Sequence, residues 1–172
     1  LNNVREVREI SALELRLKEP RLSRTALGAV LVPGEHIIDP WSAPLAYAHQ
    51  ALAHGATILR KAEVTGGDYV NDEWRLSTAQ GTIIARVAIN AAGNYGDLVE
   101  KIAHQPTFAI KPRKGQFVVF DKPASKLLRA IILPVPTERT KGVVLFRTAF
   151  GNLAIGPTAE DQDERDIATC DT

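Results

Sequence analysis

Residues 85–98 read Ala-Arg-Val-Ala-Ile-Asn-Ala-Ala-Gly-Asn-Tyr-Gly-Asp-Leu, and this stretch decides the fold class. The apolar run Val87-Ala88-Ile89 enters a small-residue corner, Asn90-Ala91-Ala92-Gly93. An apolar-periodic segment follows, with Leu98, Val99, Ile102 and Ala103. The pattern predicts a buried strand, a tight turn and a helix. Small side chains at the corner let a large ligand approach the backbone, and the N–H groups that open a helix suit a phosphate. The same residues also suit an ordinary, well-packed βα turn.

Working outward, the chain has 172 residues and is 45% hydrophobic, enough for a real core in one or two small domains. Its net charge of +1 gives no bulk attraction to nucleic acid or to an anionic membrane. The single cysteine, Cys170, excludes a disulfide framework, and its polar surroundings give it no catalytic role. No apolar run approaches the length of a membrane span, and no signal peptide is visible. The chain starts at Leu1 and contains no methionine, which predicts a piece of a longer polypeptide.

Residues 4–10 form a short element of open type. Ser11-Ala12-Leu13-Glu14 has capping-box spacing and predicts a helix that ends before Pro20. Ala26–Val32 reads as a strand. Asp39 and Pro40 open a second helix with an apolar stripe of Leu45, Ala48, Leu52 and Ala53, ended by Gly55. Thr57–Leu59 is extended, and residues 62–86 form a β-meander over Asp68–Val70, Trp74–Thr78 and Thr82–Ala85. After Pro106 the predicted strands are Thr107–Ile110, Gly115–Phe120, Ala130–Leu133, Val143–Thr148 and Leu153–Ile155. Residues 159–172 read as a loosely held polar tail.

Five stretches, taken in order, resemble the D-amino-acid-oxidase-like superfamily of FAD-dependent oxidoreductases. They are Gly34–Val64; Ile89–Asp97; Lys111-Pro112-Arg113-Lys114-Gly115-Gln116; Pro134–Thr137 with Lys141-Gly142-Val143; and Gly151–Leu153 with Gly156–Asp161. Their order is most similar to the glycerol-3-phosphate dehydrogenase branch. Two parts of the family pattern are absent: the glycine-rich G-x-G-x-x-G turn that receives the FAD pyrophosphate, and the segment that closes the flavin site. The resemblance therefore implies the interior of such an enzyme. FAD is expected in the full-length protein, without tight binding to this piece alone.

The resemblance also assigns residues. It places Val64 beside the adenine, where a plain strand valine is the alternative. It places Ala91, Ala92 and Gly93 along the ribose and pyrophosphate, and Gly156, Pro157 and Thr158 before the flavin ring, where a strand-ending turn is the alternative. Lys111, Arg113 and Lys114 fall on the substrate side. Strand alternation points Lys111 and Arg113 one way and Lys114 the other. An arginine fork suits a phosphate or carboxylate, whereas a solvated basic edge is the alternative. Arg147 is a further candidate. His36, His49, His54 and His104 have no metal-ligand spacing, so no metal site is expected, and no catalytic base is assigned.

The reading is an α/β (α+β) fold. Residues 1–33 and 106–158 form a mainly antiparallel substrate domain, and residues 34–105 form part of an FAD domain. The activity implied is hydride transfer to FAD from a small hydroxylated anion, glycerol 3-phosphate first, with electrons passing to a quinone or another acceptor. A 2-hydroxy acid such as 2-hydroxyglutarate, an amino acid, or a non-catalytic binding module are the alternatives. A cytoplasmic location without a transmembrane segment is expected, and peripheral membrane contact stays open.

Overall fold

The computed structural model describes residues 6–102, 104–138 and 142–166. The elements in chain order are β1 (Arg8–Ser11), α1 (Ala12–Lys18), β2 (Gly28–Leu31), α2 (Ser42–Ala53), β3 (Val64–Val70), β4 (Glu73–Thr78) and β5 (Gly81–Ala85). They continue with α3 (Gly96–Glu100), β6 (Arg113–Lys114), β7 (Val118–Phe120), β8 (Val144–Arg147), β9 (Leu153–Gly156) and β10 (Glu160–Asp161). Short 3-10 turns occupy Gly93–Tyr95 and Lys122–Leu127. The fold is mixed α/β with antiparallel sheets, and the chain divides into two compact units, 1–47 with 115–159 and 48–114 with 160–172.

In the first unit, the Ser11 hydroxyl accepts from the Glu14 N–H at 3.3 Å and starts α1, as the capping box predicts. β1 pairs with β2 from Arg8 opposite Leu31 to Ser11 opposite Gly28. The second sheet has the order β7-β9-β8, antiparallel throughout. Among the described residues Pro112 is buried in the other unit, and the buried aliphatic side chains are Ile10, Leu15, Leu128, Leu153 and Ala154, all in this unit. Glu19 is buried beside them, and its carboxylate accepts the Arg129 N–H at 2.8 Å and the Ala130 N–H. Those bonds make the burial of a charged group tolerable.

The second unit holds the meander β3-β4-β5. Asn71 and Asp72 take φ of +54° and +62°, the left-handed pair that a two-residue hairpin turn needs. Across that hairpin the rings of Tyr69 and Trp74 lie 5.2 Å apart. β6 and β10 form a separate two-stranded ladder, Lys114 opposite Glu160 and Arg113 opposite Asp161.

Several expectations fail for a common reason. Val87-Ala88-Ile89 joins no ladder, and Val87 and Ile89 are 72% and 87% exposed. Thr57–Leu59 and Thr107–Ile110 also stay outside the sheets, and Ala130–Leu133 keeps only the bridge Ile132 to Leu145. Each run has strand composition, but strand propensity yields a strand only where a partner edge is available. Likewise α2 forms, with Asp39 accepting from the Trp41 N–H at 3.0 Å, yet none of its residues is buried and its stripe stays half-open. The real core expected from composition shrinks accordingly to the five aliphatic residues above. The tail is corrected in the other direction: residues 160–166 are held, by β10 and by Arg165. Residues 4–5, Ala103, Lys141 and Cys170 lie outside the described residues.

Candidate functional site

A cavity of about 1270 Å³ opens within the second unit, and it brings together Val64, Ala91 and Ala92. Val64 starts β3, whereas the two alanines lie on the corner that precedes the 3-10 turn. The methyl-sized side chains of Ala88, Ala91 and Ala92 leave the room. Trp74, Tyr95 and His104 supply aromatic surface, and Glu63, Glu100 and Asp166 supply carboxylates. Among the described lining residues there is no lysine or arginine. Flat rings and hydroxyl-accepting carboxylates suit a nucleoside, whereas a pyrophosphate would meet repulsion.

The corner is built by its own side chains. Asn90 donates through Nδ2 to the Gly96 carbonyl at 2.8 Å and accepts the Ala92 N–H on Oδ1 at 3.3 Å. Gly93 takes φ +56°, the left-handed conformation that its lack of a Cβ permits. A Cβ there would meet nothing within 4 Å, so the space beside the corner is open. α3 has five residues, and its first turn already carries the Asp97 carboxylate.

Asp97 is buried and heavily bonded. It accepts both terminal nitrogens of Arg165, at 2.5 and 3.0 Å, and the Ile110 N–H at 3.1 Å. The Arg165 fork, and next the Ile110 N–H, hold the Asp97 carboxyl well below the usual carboxylate range. The sequence reading has Asp97 in the Ile89–Asp97 stretch but not its partner, because Arg165 lies 68 positions away in a stretch with tail composition.

Lys111, Arg113 and Lys114 alternate as expected, the first two exposed and Lys114 half-buried. Arg113 and Lys114 have acidic partners across the ladder. Arg113 Nε donates to Asp161 at 2.7 Å, and the Lys114 ammonium lies 3.1 Å from Glu160. The carboxylate of Asp161 raises the Arg113 pKa further. Glu160 and Asp161 were legible as part of the Gly156–Asp161 stretch, but not as cross-strand partners.

In the first unit, Gly156-Pro157-Thr158 is not a free strand-ending turn. It runs alongside residues 115–117. Thr158 donates its N–H to the Gln116 carbonyl at 3.0 Å, and its hydroxyl accepts the Gln116 N–H at 3.0 Å. A Cβ on Gly156 would lie 2.6 Å from Phe117 Cδ1 and 2.7 Å from the Gln116 oxygen. Arg147, exposed on β8, donates to the Arg129 carbonyl at 3.3 Å. His36, His49 and His54 are exposed, and only His104 reaches the cavity, with its ring 6.1 Å from Trp74. No described group of three or more His, Cys, Asp or Glu is arranged to hold a metal. No helix of the described residues is long and apolar enough to cross a membrane.

The profile of a family described as FAD dependent oxidoreductase matches residues 1–172. A glycerol 3-phosphate dehydrogenase of Caloramator mitchellensis is 31% identical over 93% of this chain and 33% of its own length. An L-2-hydroxyglutarate dehydrogenase of Salmonella houtenae is 30% identical over 95% of the chain and 40% of its own. Among solved structures, the dithionite-reduced L-α-glycerophosphate oxidase of Mycoplasma pneumoniae with FAD bound superposes with a TM-score of 0.83. It is 28% identical, over 92% of this chain and 42% of that one. The chain thus spans between a third and about two fifths of the length of these relatives.

Proposed function

Because the chain belongs to the FAD dependent oxidoreductases, whose cofactor is FAD, we propose that it forms part of a flavoenzyme that oxidises glycerol 3-phosphate. The observation that carries the reading is the meeting of Val64, Ala91 and Ala92 on one cavity with a nucleoside-compatible lining. The similarity to a glycerol 3-phosphate dehydrogenase and to an L-α-glycerophosphate oxidase supports the substrate class.

The cavity residues fit the nucleoside end of FAD. Trp74 and Tyr95 offer flat apolar surface, and Glu63 offers an acceptor for a ribose hydroxyl. Gly93 leaves open space beside the corner. When bound, the flavin ring supplies the acceptor for a hydride from the substrate's carbinol carbon. The chain's own part is to bind and orient. Arg113, steadied by Asp161, and Lys111 on the same exposed side hold the anion. Lys114, half-buried beside Glu160, contributes less. Gly156, Pro157 and Thr158, fixed against Gln116, form a well-held turn that suits a flat ring. Electrons then leave to a quinone or another acceptor.

A second reading has one specific observation behind it. The L-2-hydroxyglutarate dehydrogenase is 30% identical over nearly the same span, so a 2-hydroxy acid is the alternative substrate. Anaerobic mixing of the full-length protein with each candidate separates the readings. Glycerol 3-phosphate should bleach the visible flavin band within seconds. Bleaching by L-2-hydroxyglutarate or by an amino acid alone would reassign the substrate.

A further inference from the structure

We propose that Arg165 is a positioning residue for the cofactor corner: clasped by Asp97, its guanidinium holds the Asn94 carbonyl and so shapes the Ala91–Tyr95 turn that lines the cavity. The inference rests on the reading of that cavity as part of the flavin-nucleotide site.

The geometry is a three-point attachment. Arg165 donates to the Asn94 carbonyl at 2.5 Å, to both Asp97 oxygens at 2.5 and 3.0 Å, and to the Ile110 carbonyl at 3.2 Å. Asn94 is the middle of the 3-10 turn, Asp97 sits in the first turn of α3, and Ile110 leads into β6. One planar fork therefore fixes three backbone segments, which a lysine ammonium on a flexible stem does not match. The turn needs such a hold. Gly93 at φ +56° has no side chain to restrict it, and nothing lies within 4 Å of where a Cβ would be. Asn90 ties the corner from one side through Ala92 and Gly96, and Arg165 ties it from the other. The next residue, Asp166, lines the cavity itself, so a shift at Arg165 moves the wall as well as the corner. The segment with tail composition is thus part of the site.

The test uses the full-length protein stripped of flavin, titrated with FAD by fluorescence, with the melting temperature of the flavin-free form measured alongside. Arg165→Ala should raise the Kd for FAD by about tenfold or more, the weight of a charged hydrogen-bond set. Arg165→Lys keeps the charge opposite Asp97 but not the fork, and its Kd should fall between. In flavin-saturated enzyme the substrate KM should stay within about twofold, whereas general loss of structure would move both constants. Ala92→Leu, which fills the cavity, is the control for the underlying reading. If Ala92→Leu weakens FAD binding while Arg165→Ala leaves it unchanged, the positioning role is wrong and the cavity reading stands. If neither variant changes the Kd, the cavity reading falls and the proposal with it. Should Arg165→Ala fail to fold, Arg165→Lys decides: a clearly raised Kd supports the role, and a parental Kd overturns it.

Discussion

Replacing Gly156 by alanine should cost about 2–4 kcal/mol of stability, from overpacking and backbone strain together. The new Cβ would stand 2.6 Å from Phe117 Cδ1 and 2.7 Å from the Gln116 oxygen. The phenyl ring can swing, because Phe117 is 46% exposed, but the oxygen cannot. It is held at 3.0 Å by the Thr158 N–H, and the Gln116 N–H is held in turn by the Thr158 hydroxyl. Residue 156 also has φ +155°, a conformation that side chains rarely adopt. Gly151, in the same unit, separates the two causes. Its φ is +86° with nothing within 4 Å, so Gly151→Ala carries the backbone cost alone, about 1 kcal/mol. Urea unfolding of the flavin-free full-length protein, parent against both variants, reads the difference. A loss at Gly156 no larger than at Gly151 would show that residues 115–117 and 156–158 do not pack as described.

Further outcomes follow from the same contacts. Arg113→Ala in the full-length enzyme should lower kcat/KM for glycerol 3-phosphate by about ten- to a hundredfold without loss of flavin, with a smaller effect for Lys111→Ala. Kinetic silence of both would remove the anion site from this strand. Glu19→Ala removes the acceptor of two part-buried N–H groups, at Arg129 and Ala130, and should cost about 1–3 kcal/mol by urea unfolding; a change under about 0.5 kcal/mol would mean that water replaces the carboxylate. Asp97 is bound more tightly as a carboxylate in the folded state, so its contribution is fully present above the ordinary carboxyl pKa, near about 4, and is lost as pH falls below it. The stability gap between parent and Asp97→Asn should be flat from about pH 8 to 5 and shrink toward about pH 3. A gap that widens in acid would reverse the assigned direction. FAD titrated into the 172-residue chain alone should show no sub-micromolar Kd, because the sequence has no glycine-rich turn for the pyrophosphate.

Local signals in the sequence were reliable where the cause is local. Ser11 and Glu14 start α1 through a bond between neighbours, and Asn71 with Asp72 fixes the hairpin by backbone preference. Val64, Ala91 and Ala92 were singled out by family resemblance, and the fold brings them to one cavity. What stayed hidden depends on distant partners. Val87-Ala88-Ile89 has the composition of a buried strand, yet pairing requires a free edge that composition does not encode. Arg113 and Lys114 read as a basic patch until Glu160 and Asp161 fold across them. Arg165 reads as tail until its fork meets Asp97. Trp74 lies on β4 and His104 beyond the end of α3, and only the fold brings both rings to the cavity.

The central claim is that this cavity receives the nucleoside end of FAD. Amide hydrogen exchange of the full-length protein, with and without FAD, tests it most directly. The account predicts slower exchange on FAD binding at residues 63–65 and 88–95, with β1 and β2 unchanged. Unaltered exchange at both cavity segments, in protein that carries stoichiometric flavin, would contradict it.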